Sequence, residues 1–468
     1  MSEDQKLLDI LRQSVEPEVA GAIERLIRDA PDHELNRINV LAFAARNGLD
    51  EESSIAAFLH AARLGLFEMS WNVLCPGCGG VMDAGASLKS LKKEEYSCAL
   101  CAAGYEATLD EMVEVTFTIS PRIRRIAAHE PDKLPMPEYL RQIFWSSGVD
   151  LPDDFAIRIE DITLDSVELP AGERVILSLH LPPAFVIVFD PVTHAAQFID
   201  VKGEPTRERQ NLSLILTELA PENSTLELRP GPVRLLLENH TKRRTLPAVW
   251  VADDALHDLM GHRRPFLTAK RLLTNQTFRD LYRTDTLDVD QRLKITSLTF
   301  LFTDLKGSTE LYERVGDLVA YDLVREHFRV LNEIVASEAG AVVKTIGDAV
   351  MATFPTPDHA ISAALRMREA MRALNAERGQ EDLLLKIGIH EGPCLAVVLN
   401  ERQDYFGQTV NIASRVQNLA GSRSIFATGT VIENPEALGI IEMQGLHPTL
   451  KRTTLRGINN EFSVYEIP

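Results

Sequence analysis

Residues 296–309, TSLTFLFTDLKGST, decide the fold of the C-terminal part of this chain. Leu298 to Phe302 is too apolar for a loop and leads to Asp304, after which LKGST supplies a glycine, a hydroxyl pair and the start of an amphipathic helix. The pattern predicts strand, turn and helix, with a carboxylate where the strand ends. A second carboxylate stands in VVKTIGDAVMATF, 342–354. Here Val342 to Ile346 reads as a strand, Gly347-Asp348 as a two-residue turn and Ala349 to Phe354 as the returning strand. Both aspartates are therefore expected at the ends of neighbouring strands. Paired carboxylates suit a two-metal site, because Mg2+ prefers oxygen ligands and clamps the attacking and leaving oxygens of a phosphoryl transfer.

A third run, QDYFGQTVNIASRVQNLA, spans 403–420. The strand ending on Asp304, KTIGD at 344–348, and DYFG-x-x-VN-x-x-x-R from Asp404 to Arg415 together resemble the catalytic domain of class III adenylyl and guanylyl cyclases. The likeness covers roughly 295–468. Each motif alone is weak, whereas the three in order at compatible spacing are specific. An aspartate in a tight turn is commonly only a turn residue. Lys344 alone reads as a solvated charge. Asn411 and Arg415 stand four apart and share a helix face, where a side-chain hydrogen bond and a surface charge are the plain reading.

The resemblance implies roles for six residues. Asp304 and Asp348 match metal ligands for two Mg2+ or Mn2+ per site, Lys344 and Asp404 a base-reading pair, Asn411 a ribose-orienting amide, and Arg415 a cation on the triphosphate. The chemistry agrees: adenine offers an acceptor at N1 and a donor at its exocyclic amine, so a lysine beside an aspartate reads adenine and mismatches guanine twice. Members of the family that use GTP carry glutamate at the lysine. Each mispaired buried polar group costs about 1–3 kcal/mol, so GTP is disfavoured by roughly two to four powers of ten. ATP is the expected substrate and cyclic AMP with pyrophosphate the expected products. The resemblance also implies a two-fold homodimer in which one chain supplies the aspartates and the other Asn411 and Arg415. The alternatives are a guanylyl cyclase and a catalytically inactive nucleotide-binding regulator or adaptor. Near the C-terminus the family's Leu-Lys-Gly turn is replaced by LRGINN, 455–460, leaving Arg456 or Lys451 to face phosphate. His390, in GIHEG, is assigned no role.

The chain has 468 residues, room for several domains, with 45% hydrophobic and 25% charged residues. The most apolar run, VILSLHLPPAFVIVF, is broken by His180, Pro182 and Pro183 and is no membrane span. MSEDQK at the start lacks a signal-peptide core, so a cytoplasmic protein is expected. A net charge of −19 argues against non-specific binding to nucleic acid or anionic membrane.

Four of the five cysteines form two pairs, Cys75/Cys78 in CPGCGG and Cys98/Cys101 in YSCALCAAGY. Two CxxC knuckles about twenty residues apart have zinc-ribbon spacing and predict one structural Zn2+ per chain. Disulfides, the rival, are disfavoured in a reducing compartment. Cys394 reads as a small buried residue.

In chain order the sequence predicts a multidomain α+β protein. Residues 1–72 read as helices and a strand, laid out like a winged helix. Through Ser70 the acids number 13 and the bases 7, with Glu51 and Glu52 opening the would-be recognition helix, which repels phosphate. A zinc ribbon at 73–106 is expected to be followed by a β-rich, sandwich-like input region at 107–260, with a helical interruption at 136–148. This N-terminal half loosely resembles uncharacterised input regions ahead of some bacterial cyclase domains, with room for a regulatory ligand or protein. A helical linker at 261–294 leads into the catalytic domain, 295–468. There the expected order is strand 298–303, helix 309–339, hairpin 341–354, helix 358–377, strands 383–390 and 394–398, helix 408–420 and closing strands, a ferredoxin-like plan.

Overall fold

Strand Leu293–Leu305 runs through the middle of an eight-stranded sheet in a computed structural model that describes residues 3–91, 95–218, 224–282, 293–399, 402–421, 424–455 and 461–468. The chain divides into two compact units, residues 1–107 with 111–267, and 108–110 with 268–468.

In the C-terminal unit the strand order is 341–346, 349–354, 293–305, 385–399, 425–428, 461–467, 449–454, with Arg402–Phe406 paired to the free end of Leu385–Leu399. Alternation divides the sheet's faces. Leu301, Ile387, Ile389 and Ile425 pack under helices Asp317–Ser337, Pro357–Arg378 and Pro435–Met443. Phe426 and Val464 face the other way, onto Ile412 and Val416 of helix Gln408–Leu419. Burying each such side chain contributes about 1.5–3 kcal/mol.

Three expectations are corrected here. The helix expected over 309–339 is two, Ser308–Val315 and Asp317–Ser337, because Gly316 at φ 79° interrupts the helical backbone. The two strands expected at 383–390 and 394–398 are one, Leu385–Leu399. Pro393 is tolerated inside it because the partner strand bulges opposite: Leu298 pairs with Gly392 and Ile295 with Cys394, so that Thr296 and Ser297 together oppose Pro393. The backbone N–H groups of Thr296 and Ser297 donate to the carboxylate of Asp110 at 2.6 and 3.4 Å, which satisfies the bulge. The helical linker expected at 261–294 is likewise broken, with helices Ala269–Leu273 and Gln276–Leu281 capped by Thr268 and Asn275. Residues 283–292 of the expected linker, and Arg456, lie outside the described residues.

In the N-terminal unit, helices Glu3–Ser14, Pro17–Asp29, Val40–Asn47 and Glu51–Arg63 precede the three-stranded antiparallel sheet 81–85, 67–74, 113–119. Helix Val40–Asn47 begins where Asn39 caps the N–H groups of Leu41 and Ala42. Beyond lies a sandwich. Sheet 210–216, 231–239, 174–181 packs through Leu177, Leu214 and Leu235 on Val188 and Ile199 of the five-stranded sheet 225–228, 195–201, 185–190, 248–251, 163–166. The far face of that second sheet, through Phe189, Phe198 and Trp250, shares one core with Phe144, Trp145 and the buried cysteines. The cysteine segment therefore does not stand alone; it borrows apolar area from the sandwich.

Candidate active site

Asp304 leaves the sheet at the end of its strand, directly across from Lys386, whose Nζ lies 3.7 Å from Asp304 Oδ2. Asp348 occupies the tight turn between strands Ala341–Ile346 and Ala349–Phe354, where Gly347 at φ 65° makes the reversal. Its Oδ2 is buried with no hydrogen-bond partner among the described residues. Burial, and then the charge of Asp348, push the Asp304 carboxyl above its ordinary range, with Lys386 opposing. Beneath the hairpin, His327 is fully buried, and burial lowers its pKa to about 4, so it brings no positive charge to the turn. Two carboxylates close enough to repel, one with an orphaned oxygen, fit divalent cations.

Lys344 and Asp404 meet across 60 residues of sequence, Nζ to Oδ2 at 2.5 Å, and Asp404 Oδ1 accepts from the Tyr405 N–H at 2.8 Å. The lysine is substantially exposed and the aspartate nearly buried, so the pair borders solvent on one side only.

Helix Gln408–Leu419 lies close on the sheet because two positions lack a Cβ. A Cβ on Gly388 meets Gln417 N at 2.1 Å, and one on Gly392 meets Thr409 Oγ1 at 2.9 Å. Thr409, Ile412, Ala413, Val416 and Gln417 face the sheet. Asn411 is exposed and Arg415 half-buried, on the side turned away. Among the described residues neither makes a hydrogen bond or ion pair. The structure thus brings Asp304 to Asp348 and Lys344 to Asp404, and leaves Asn411 and Arg415 as a third group.

Two residues escape sequence reading. Lys386 is one basic residue in an apolar strand, and only the register Asp304↔Lys386 gives it meaning. Arg279, on helix Gln276–Leu281, donates from Nη2 to Val343 O at 3.3 Å and to Gln403 O at 3.0 Å, the carbonyls just before Lys344 and Asp404. Gln276 Oε1 accepts from Val342 N at 2.9 Å. This segment therefore ties together the strands that carry Lys344 and Asp404. Of the C-terminal cations, Lys451 is ion-paired to Glu466 at 2.5 Å and sits over the Phe426 ring. His390 is buried against Thr428 Oγ1 at 2.8 Å, and burial lowers its pKa to about 4. Cys394 is buried, its thiol pushed up to about 12 by burial.

In the N-terminal unit the sulfurs of Cys75, Cys78, Cys98 and Cys101 all lie within 4.8 Å of one another, Cys78–Cys98 and Cys75–Cys101 at 3.6 Å, and all are free thiols. Tetrahedral thiolates around one Zn2+ at about 2.3 Å stand about 3.8 Å apart, close to these separations. Gly77 helps make the cradle, since a Cβ there would lie 3.0 Å from Cys101 Sγ and 3.6 Å from Cys75 Sγ.

The C-terminal unit, with its carboxylate pair, its lysine–aspartate pair and its sheet, contains a class III nucleotide cyclase catalytic domain: residues 291–461 match the family described as the adenylate and guanylate cyclase catalytic domain. The chain belongs to a family of unknown function, DUF5939, which its residues 1–280 match. Among curated proteins it is 28% identical over 185 residues to an adenylate cyclase of Anabaena cylindrica, covering 36% of either chain. It is 27% identical over 186 residues to adenylate cyclase 1 of Rhizobium meliloti, covering 36% of this chain and 27% of that one. It is 29% identical over 154 residues to guanylate cyclase 32E of Drosophila melanogaster, covering 30% and 13%. The match thus spans only about a third, or less, of these relatives. Among solved structures, the adenylyl cyclase CyaB from P. aeruginosa is 22% identical, covering 38% of this chain and 96% of that one at a TM-score of 0.34. No helix among the described residues is long and apolar enough to cross a membrane.

Proposed function

We propose that this chain is an adenylyl cyclase that makes cyclic AMP and pyrophosphate from ATP. The observation that carries the reading is the Lys344–Asp404 pair, a donor beside an acceptor. Lys344 Nζ donates to adenine N1 and Asp404 accepts from the exocyclic amine. Asp304 and Asp348 would hold the divalent cations, which when bound would supply charge neutralisation at the reacting phosphate during attack by the ribose 3′ oxygen on the α-phosphorus. Asn411 orients the ribose, and Arg415 neutralises charge on the triphosphate. Arg279 keeps the two base-reading strands at a fixed separation. Two copies share each site, and the exposed Ile346 and Phe406, 54% and 66% accessible beside the base-reading residues, give a second copy apolar area to cover.

Purified protein assayed with ATP and GTP tests the substrate. ATP turnover is expected to exceed GTP turnover by roughly two to four powers of ten. In the double variant Lys344→Glu, Asp404→Cys the preference should invert or collapse, since the donor and acceptor pattern is reversed. A double variant that still prefers ATP, or a wild type that prefers GTP, removes the adenine assignment.

The four cysteines hold one structural Zn2+ in this reading, in a cytoplasmic protein whose thiols stay reduced. Metal analysis of freshly purified, reduced protein is expected to find one zinc per chain. Cys75→Ser or Cys98→Ser should lose that zinc and expose the core shared by Phe144 and Trp145 to proteolysis. Protein purified without zinc yet fully folded contradicts this reading.

A further inference from the structure

Three residues from far up the sequence, Thr108–Asp110, belong to the compact unit that contains the cyclase domain. The chain leaves the N-terminal unit after Ala107, contributes these residues and returns at Glu111. Thr108 bridges Lys294 in parallel, and the buried Leu109 donates its N–H to Lys294 O at 3.0 Å. The Asp110 carboxylate, besides accepting from the N–H groups of Thr296 and Ser297, lies 3.3 Å from Lys270 Nζ. The two side chains are only 8% and 15% exposed. Leu109 O accepts from the Lys270 N–H at 2.9 Å, so helix Ala269–Leu273 is tied to this strap twice. Ion pairs this deeply buried add little net stability over an apolar pair, and their best-attested use is to fix register.

From Lys270 the same segment reaches the residues of nucleotide recognition. Leu273 O accepts from the Tyr405 hydroxyl at 3.3 Å, one residue beyond Asp404. Gln276 and Arg279 then bond to Val342 N, Val343 O and Gln403 O, on the strands that carry Lys344 and Asp404. Leu109, Asp110, Lys270, Gln276 and Arg279 all precede the cyclase domain in sequence, yet they form one continuous set of contacts from the central strand Leu293–Leu305 to both of those strands.

We propose that Asp110 is a positioning residue for nucleotide recognition. It locks segment 268–281 onto strand Leu293–Leu305, and that segment sets the separation of the strands of Lys344 and Asp404. The inference rests on the reading of Lys344 and Asp404 as the pair that reads the base.

The test uses the full chain, with Asp110→Asn and Asp110→Ala compared with wild type well below their melting temperatures. Alanine leaves Lys270 without its carboxylate and two N–H groups without an acceptor. Asparagine keeps one acceptor oxygen, and it decides the matter if the alanine variant fails to fold. In Asp110→Ala the KM for ATP should rise about tenfold and the ratio of ATP to GTP turnover should shrink about tenfold, with kcat for ATP within about threefold of wild type. Asp110→Asn should move both quantities in the same direction. Fluorescent ATP and GTP analogues titrated in the presence of Mn2+ read the same shifts without turnover. Arg279→Gln should give similar shifts, and the double variant Asp110→Asn, Arg279→Gln should be no worse than the more damaging single one, because both act through one segment. A purely structural role lowers the melting temperature and the fraction of active protein but leaves KM and the ATP to GTP ratio unchanged, and that result overturns the proposal. So do shifts that multiply in the double variant, and failure of both Asp110 variants to fold. A wild type that prefers GTP removes the adenine reading alone; the Asp110 variants must then narrow the preference for GTP, and an unchanged preference overturns the positioning role.

Discussion

Asp304→Ala should reduce cyclic nucleotide formation by about a thousandfold or more and leave the melting temperature of the metal-free protein equal to or above that of wild type. On the proposed reading the loss follows from removing a ligand for a cation that supplies several kcal/mol of charge stabilisation at the reacting phosphate, where about 4 kcal/mol corresponds to a thousandfold. The stability side follows from the geometry. Asp304 is partly desolvated and faces Asp348, and both effects raise its pKa above that of an ordinary carboxylate. By linkage, a carboxyl whose folded pKa is raised contributes stability below its unfolded pKa, and that contribution is lost as pH rises through the folded value. Above the unfolded pKa the desolvation of Asp304 and its repulsion by Asp348 therefore weigh on the metal-free fold, and alanine relieves them. Asp348→Ala should behave alike in activity, since its Oδ2 has no protein partner to lose among the described residues. In the wild type, Mn2+ should raise the melting temperature, and in either variant this rise should shrink. A variant that keeps near-normal turnover contradicts the carboxylate assignment, and one that unfolds shows a structural role instead.

Mixing two inactive variants should restore roughly a quarter of wild-type activity. Asp304→Ala and Arg415→Ala are each expected to be inactive alone. If each site takes its aspartates from one chain and its arginine from the other, a mixed dimer concentrates both lesions in one site and leaves the second intact. At random equal pairing half the dimers are mixed, each with one good site of two, which gives about one quarter. The arrangement within one chain supports this: Arg415 and Asn411 lie on the helix face turned away from the sheet, with no hydrogen bond or ion pair among the described residues, while Asp304 and Asp348 pair at the strand ends. Verified subunit exchange without recovered activity means the sites are not shared between chains.

Much of the catalytic unit is legible along the chain because the chemistry is local. Leu298 to Phe302 alternates into a sheet with both faces covered, Gly347-Asp348 can only be a tight reversal, and Gly379 stops helix Pro357–Arg378 in the left-handed conformation that suits glycine. The CxxC spacing is equally local, and it brings four sulfurs together because each knuckle needs only a few residues to curl. Boundaries failed where a neighbour intervened. Pro393 marks a strand break in isolation, but in the sheet it faces the bulge at Thr296 and Ser297, where no ladder hydrogen bond is needed.

The sequence by itself determined the motifs: which residues bear carboxylate, amine, amide, guanidinium and thiol, and on what kind of element each sits. Tertiary structure alone decided the geometry in which they meet and the neighbours that join them. Lys386 faces Asp304 only through strand register, Lys344 reaches Asp404 across 60 residues, and Arg279 ties the strands of Lys344 and Asp404 together from a helix outside every motif. The contact of Asp110 with the bulge has no sequence signature at all, since it joins residues 186 apart in the chain. The physical reason is the range of the forces. Turn, cap and periodicity preferences act over a few residues, whereas register, desolvation and the pairing of buried polar groups depend on chain segments that only folding brings side by side.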